Sequence, residues 1–172
     1  MPANSPSPKV KIVPHEPHGE TVLIVEDHTR TREALRILFE RRNYHIIEAK
    51  TYRDAIDILL APDGPSLALL DWMLPDGTGI DICRTIREKN IGRYVYMIVM
   101  TSLSGEEDIA KALTAGADDF IHKPCGPVEL MARLRNGVRT ITLERILEKR
   151  IMELEAALKN VNNLSHRLEQ QQ

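Results

Sequence analysis

From residue 21 onward the chain alternates between two hydrophobic rhythms. Short apolar runs predict strands at Thr21 to Val25, Tyr44 to Glu48, Leu67 to Leu70, Tyr94 to Met100 and Asp119 to His122. Between them apolar residues recur every three or four positions, which predicts helices near 29–42 (Leu35, Leu38, Phe39), 51–60 (Ala55, Ile56, Leu59), 80–89 (Ile82, Cys83, Ile86) and 105–115 (Ile109, Ala112, Leu113). Strands that alternate with helices pair in parallel, and right-handed crossovers distribute the helices over both faces. The expected fold class is therefore α/β, a doubly wound five-stranded parallel sheet of order 2-1-3-4-5. In such a sheet Leu67 to Leu70 is apolar throughout because a central strand is covered on both sides.

The two ends of the chain follow other patterns. Pro2, Pro6, Pro8, Pro14 and Pro17 predict a flexible leader over residues 1–19, ahead of a folded domain at 20–138. A last helix begins near Val128 with Gly137 as its only breaker, and a helical linker over 139–172 follows. There Leu147, Ile151, Leu154, Leu158, Val161 and Leu168 keep a 3-4 spacing, with Ser165 at the polar seam position. From 147 to 168 this segment spans roughly 33 Å at 1.5 Å per residue. A parallel pair would set Arg150 at g against Glu155 at e of its partner, so the expectation is a homodimer; the alternative is a helix folded back on its own domain. Imperfect spacing between Ile141 and Ile146 predicts a stutter.

Composition narrows the function classes. With 172 residues, 42% hydrophobic and 28% charged, and a net charge of -2, the chain is of soluble globular type, without a global attraction to nucleic acid or anionic membrane. No apolar stretch is long enough to span a membrane and no secretory signal opens the chain, so a cytoplasmic location is expected. Cys83 and Cys125 form no CxxC motif and read as reduced apolar fillers. The histidines show no metal-ligand spacing.

The chemistry lies at the strand ends. The first predicted strand runs into Glu26-Asp27, the third into Asp71, the fourth into Thr101-Ser102 and the fifth into Lys123-Pro124, whereas the second contributes nothing comparable. In an open α/β sheet these ends meet in one crevice. Like charges 4 Å apart repel by about 4 kcal/mol at an effective dielectric of 20, so gathered carboxylates require a cation. Hard oxygen ligands without His or Cys point to Mg²⁺. With Thr101 and Lys123 opposite, the set suits a tetrahedral dianion bonded to one carboxylate. Ser104, directly before Gly105-Glu106-Glu107, is the expected cap of the fourth helix.

VEDHTRTRE, LLDWMLPDGTGIDICRTIR, MTS, AGADDFIHKP and VELMARLR, in this order over about residues 20 to 138, resemble the receiver domain of two-component response regulators. The resemblance implies a flavodoxin-like fold and a self-phosphorylating acceptor rather than an enzyme. It implies Asp71 as phosphoacceptor and Glu26, Asp27, Asp71 and the main-chain carbonyl of Met73 as Mg²⁺ ligands. Thr101 and Lys123 would grip the phosphoryl oxygens, the Lys123-Pro124 bond would be cis, and Phe120 would be the switch, without the hydroxyl of the commoner Tyr. Cys125 stands where the family more often has Phe. The implied partner is a sensor histidine kinase or phosphotransfer protein, with no direct nucleic-acid or membrane contact. Lys111, Asp118 or Asp119, Glu129 and Arg133 match positions of intersubunit salt bridges in many family members. Receivers with helical tails resemble the front halves of diguanylate cyclases. Alternatives from other classes are a hydrolase with an aspartyl nucleophile and an unphosphorylated scaffold.

Overall fold

In chain order the elements are β1 (Thr21–Val25), α1 (Thr29–Glu40), β2 (His45–Ala49), α2 (Tyr52–Leu60), β3 (Leu67–Asp71), β4 (Met73–Leu74), β5 (Gly77–Thr78), α3 (Gly79–Lys89), β6 (Tyr96–Thr101), α4 (Glu106–Thr114), β7 (Asp119–His122) and α5 (Pro127–Glu169). They come from a computed structural model that describes residues 19–103 and 105–170. The Pro-rich leader up to residue 18 and the cap assigned to Ser104 lie outside the described residues, and the N-cap position of α4 is held by Gly105.

The five long strands form a parallel sheet of order β2-β1-β3-β6-β7, as the hydrophobic rhythm requires. Alternate residues of each strand feed opposite cores. Val22, Ile24, Leu69 and Ile98 pack with Phe39 of α1 and Leu134 of α5. Leu23, Val25, Leu70 and Val99 pack with Leu59, Ile86 and Ala112 of the helices on the other face. All five residues of β3 are buried, which accounts for its unbroken apolar run. A two-stranded ribbon, β4 with β5, follows β3 and is too short to carry a sequence signal of its own.

Gly137 does not break α5. The helix passes straight through it, because a Cβ there would come within 2.8 Å of Leu67 and Tyr96 side chains. Its loss of helix propensity, about 1 kcal/mol against Ala, is offset by the close approach of helix and sheet. Beyond Ile141, which is buried, α5 leaves the domain; Arg145 reaches Glu20 at 2.8 Å, and Leu147 and the seam residues after it are exposed. The tail is therefore not folded back on its own sheet.

At the amino end of the sheet, away from the strand ends that carry chemistry, Asp118 accepts the Met97 amide at 2.8 Å, the Arg87 guanidinium at 2.8 Å and the Tyr94 hydroxyl. Arg87 also donates to the carbonyls of Gly116 and Val95. The carboxylate at 118 thus joins α3 to the entries of β6 and β7, while the half-buried carboxylate of its neighbour Asp119 turns to Arg133 of α5. Truncation strands three donors, so Asp118→Ala is expected to lower stability by about 3 kcal/mol, or roughly 6–12 °C in Tm for a chain of this size. Denaturant unfolding with an unchanged m-value checks this.

Candidate functional site at the carboxyl ends of the strands

Register places the site. Val25 is level with Leu70, so Glu26, the next residue of that chain, lies beside Asp71, and Asp71 is level with Met100, directly before Thr101. Thr101 in turn is level with His122, directly before Lys123. The result is that carboxylate oxygens of Glu26, Asp27 and Asp71 all lie within 4.8 Å of one another. Lys123 Nζ donates to Glu26 Oε2 at 2.9 Å and to Asp71 Oδ1 at 3.0 Å. Its backbone amide donates to the Thr101 carbonyl at 2.8 Å, and the Lys123-Pro124 peptide bond is cis. The Thr101 side chain is buried, and its hydroxyl accepts the Leu103 amide at 2.9 Å.

Burial pushes the Glu26 carboxyl above the usual range; the bond from Lys123 opposes this and the charge of Asp71 reinforces it. Burial alone would lower Lys123, but the bonds from Glu26 and Asp71 win and hold its ammonium above the ordinary lysine value. Three carboxylates thus face one ammonium. The excess negative charge and the all-oxygen donor set fit a hard divalent cation rather than zinc.

A family model described as "Response regulator receiver domain" matches residues 22–135. This chain belongs to that family. The phosphate regulon transcriptional regulatory protein PhoB of Escherichia coli is 35% identical over 137 residues, 78% of this chain and 59% of PhoB. The KDP operon transcriptional regulatory protein KdpE of the same organism is 42% identical over 118 residues, 69% of this chain and 51% of KdpE. The chain thus spans little over half the length of these relatives. Among solved structures, the BeF3-activated N-terminal receiver domain of Klebsiella pneumoniae RstA superposes with a TM-score of 0.63 at 28% identity, covering 70% of this chain and 99% of that one.

Around the receiver's acids stands a shell that sequence reasoning passed over. Arg32, buried in α1, donates to the carbonyls of Glu26 at 2.8 Å and Asp27 at 3.2 Å, while its Nε meets Glu48 at 3.2 Å. The second strand therefore does contribute: Glu48 near its end holds the arginine that holds the acidic loop. Arg32 lies six residues after Glu26, one charge among several on a helix, and periodicity cannot single it out. Gly79 lets α3 start against β3, since a Cβ there would run into the Asp71 carbonyl oxygen. Asp76 in the same loop accepts the amides of Tyr52 and Arg53 and so caps α2; those bonds depress its carboxyl pKa, overcoming the opposing effect of desolvation.

The other predicted residues fall as follows. Met73 is 65% exposed on β4, beside the buried Trp72. The Phe120 ring is half-buried, edge-on to His122 at 5.5 Å. Arg133 pairs with Asp119 at 3.2 Å and with Glu129 at 3.6 Å, and exposed Lys111 pairs with Asp108 at 3.6 Å. Cys83 is buried with its thiol pushed up to about 12, an inert filler.

Because its folded pKa is raised, ionised Glu26 costs stability above its unfolded pKa near 4.5, and the cost vanishes below that value. Glu26→Gln is therefore expected to melt higher than the parent at pH 7 in the absence of divalent metal and to lose this advantage near pH 4. Calorimetry at both pH values decides it.

Proposed function

We propose that this receiver takes a phosphoryl group onto Asp71 from a phosphohistidine of a sensor kinase or phosphotransfer protein in the cytoplasm. The observation that carries this reading is the bridge from Lys123 Nζ to Glu26 and Asp71 at 2.9 and 3.0 Å. It fixes one oxygen of Asp71, marks where negative charge is neutralised, and leaves the other oxygen for attack. That oxygen forms the new P–O bond as the P–N bond breaks, and the imidazole leaves with the electron pair. Lys123 meets the charge on the transferring oxygens. Glu26, Asp27, Asp71 and the Met73 carbonyl are the residues that would hold Mg²⁺, whose positive charge aids the transfer. BeF3, which activates the Klebsiella relative by its description, is a trigonal fluoride that becomes tetrahedral, like a phosphoryl group, once an oxygen bonds to it.

Thr101 turns from the Leu103 amide toward the phosphoryl, and Phe120 moves into the space released. The altered surface of α4, β7 and α5 passes the signal outward along α5, to a second copy or to an output domain. The names of PhoB and KdpE favour an output of the transcriptional class over a diguanylate cyclase. The chain is an acceptor, not an enzyme: a hydrolase with an aspartyl nucleophile needs a general acid about two residues after Asp71, where Met73 stands.

Incubation with acetyl phosphate and Mg²⁺, read by intact mass, is expected to give a single added PO₃ on the parent and none on Asp71→Asn. Catalytic release of phosphate would mean a hydrolase, and no adduct at all an unphosphorylated scaffold. Neither Met73 nor Leu103 can orient a water, so the adduct is expected to decay more slowly than that of Met73→Asn; equal or faster decay in the parent contradicts this.

A further inference from the structure

The ring of Phe120 has a neighbour that the chemistry at Asp71 does not use. Phe120 and His122 stand two apart on β7, so both side chains leave the same face of the strand, and the register sets Phe120 level with Val99 and His122 level with Thr101. Val99 belongs to the core beneath α2, α3 and α4, which identifies that face. Ile121 between them turns to the opposite core and is buried. Cβ atoms two residues apart in a strand are separated by about 6.6 Å, yet the two ring centroids are 5.5 Å apart, with an interplanar angle of 83°. The rings therefore lean together as an edge-to-face pair.

His122 has no other task in the fold. It is exposed, and among the described residues its imidazole enters no hydrogen bond or ion pair. Phe120 is only half-buried on an edge strand and lacks a hydroxyl with which to anchor itself at the surface. A bare phenyl ring in such a place is held by what it packs against. Here that includes the imidazole, which stands at the level of Thr101, on the side toward which the ring would travel.

We propose that His122 is a positioning residue that holds the Phe120 ring in its outward place and so sets how readily the receiver leaves its resting state. This rests on the reading of Phe120 as the switch and deepens it. A group that meets the ring in one of its two positions shifts the equilibrium by that differential contact, and an edge-to-face pair is expected to favour the outward position by about two- to tenfold. By linkage the same factor is taken from the affinity of a phosphoryl group that requires the inward position. The residue at 122 thus tunes the threshold of activation without touching the phosphoryl oxygens, which fall to Thr101 and Lys123.

The chain contains two phenylalanines, and the other, Phe39, is fully buried in the core. Labelling the full chain with 4-fluorophenylalanine therefore gives one fluorine resonance for the switch and one that reports an intact fold. Beryllofluoride with Mg²⁺ is expected to move the Phe120 resonance of the parent and to leave that of Phe39 in place. Without beryllofluoride, His122→Ala is expected to carry the Phe120 resonance part of the way toward its activated position, and to bind beryllofluoride about two- to tenfold more tightly. His122→Phe, which restores a ring, is expected to return both towards the parent. The affinity decides, because a lost ring current cannot change it. An affinity of His122→Ala equal to or weaker than the parent's, or a gain that His122→Phe does not reverse, overturns the role of His122 while the parent's own response stands. A parent whose Phe120 resonance ignores beryllofluoride overturns the switch reading itself, and this role with it.

Discussion

An ammonium shared between two carboxylates, Lys123 with Glu26 and Asp71, is the contact on which the rest of the architecture turns. Gathering three acids within 4.8 Å is unfavourable by several kcal/mol if they are left alone. The sheet makes it tolerable by fixing the acids on neighbouring strand ends and by delivering a lysine from β7, next but one to β3. The charge imbalance that remains is useful. A site fully neutralised by its own side chains would have no affinity for a cation or for a group that arrives with one. Here the excess of acid over base is stored in the fold as strain of an electrostatic kind, held in place by cores on both faces of the sheet.

That storage needs bracing away from the charges themselves. The loop carrying Glu26 and Asp27 would spread under repulsion if its backbone were free, yet Arg32 clasps both carbonyls and is itself anchored to Glu48 on the edge strand. On the other side Gly79 brings α3 against the Asp71 carbonyl, and Asp76 ties the same loop to the start of α2. Each brace acts on main chain rather than on a reacting oxygen, which leaves the carboxylates free to change partners.

How much of this the sequence discloses depends on whether a residue acts by pattern or by place. The sheet order and the four strand ends are legible because burial on two faces forces unbroken apolar runs, and a charged residue that ends such a run must emerge at the crevice. Arg32 and Glu48 are not legible: they meet across sixteen residues on a helix and an edge strand, where charged side chains are ordinary. Asp118 and Asp119 are adjacent acids that the sequence alone cannot tell apart, since the pleat sends one to Arg87 on α3 and the other to Arg133 on α5. Gly137 misleads for a related reason. Its effect on an isolated helix is to weaken it, while its effect here is set by Leu67 and Tyr96, which the local sequence does not contain.

The strand β7 joins the acidic site to α5. Lys123 follows its last residue and Asp119 is its first, so the ammonium that reads the site and the carboxylate that holds Arg133 on α5 are separated by four residues of extended chain, roughly 13 Å. A strand paired on one side only, to β6, is freer to shift along its length than the buried strands between it and β1. The same short segment carries Phe120 between them. Asp119 meets Arg133 on α5 at 3.2 Å, upstream of the point at which that helix leaves the domain beyond Ile141.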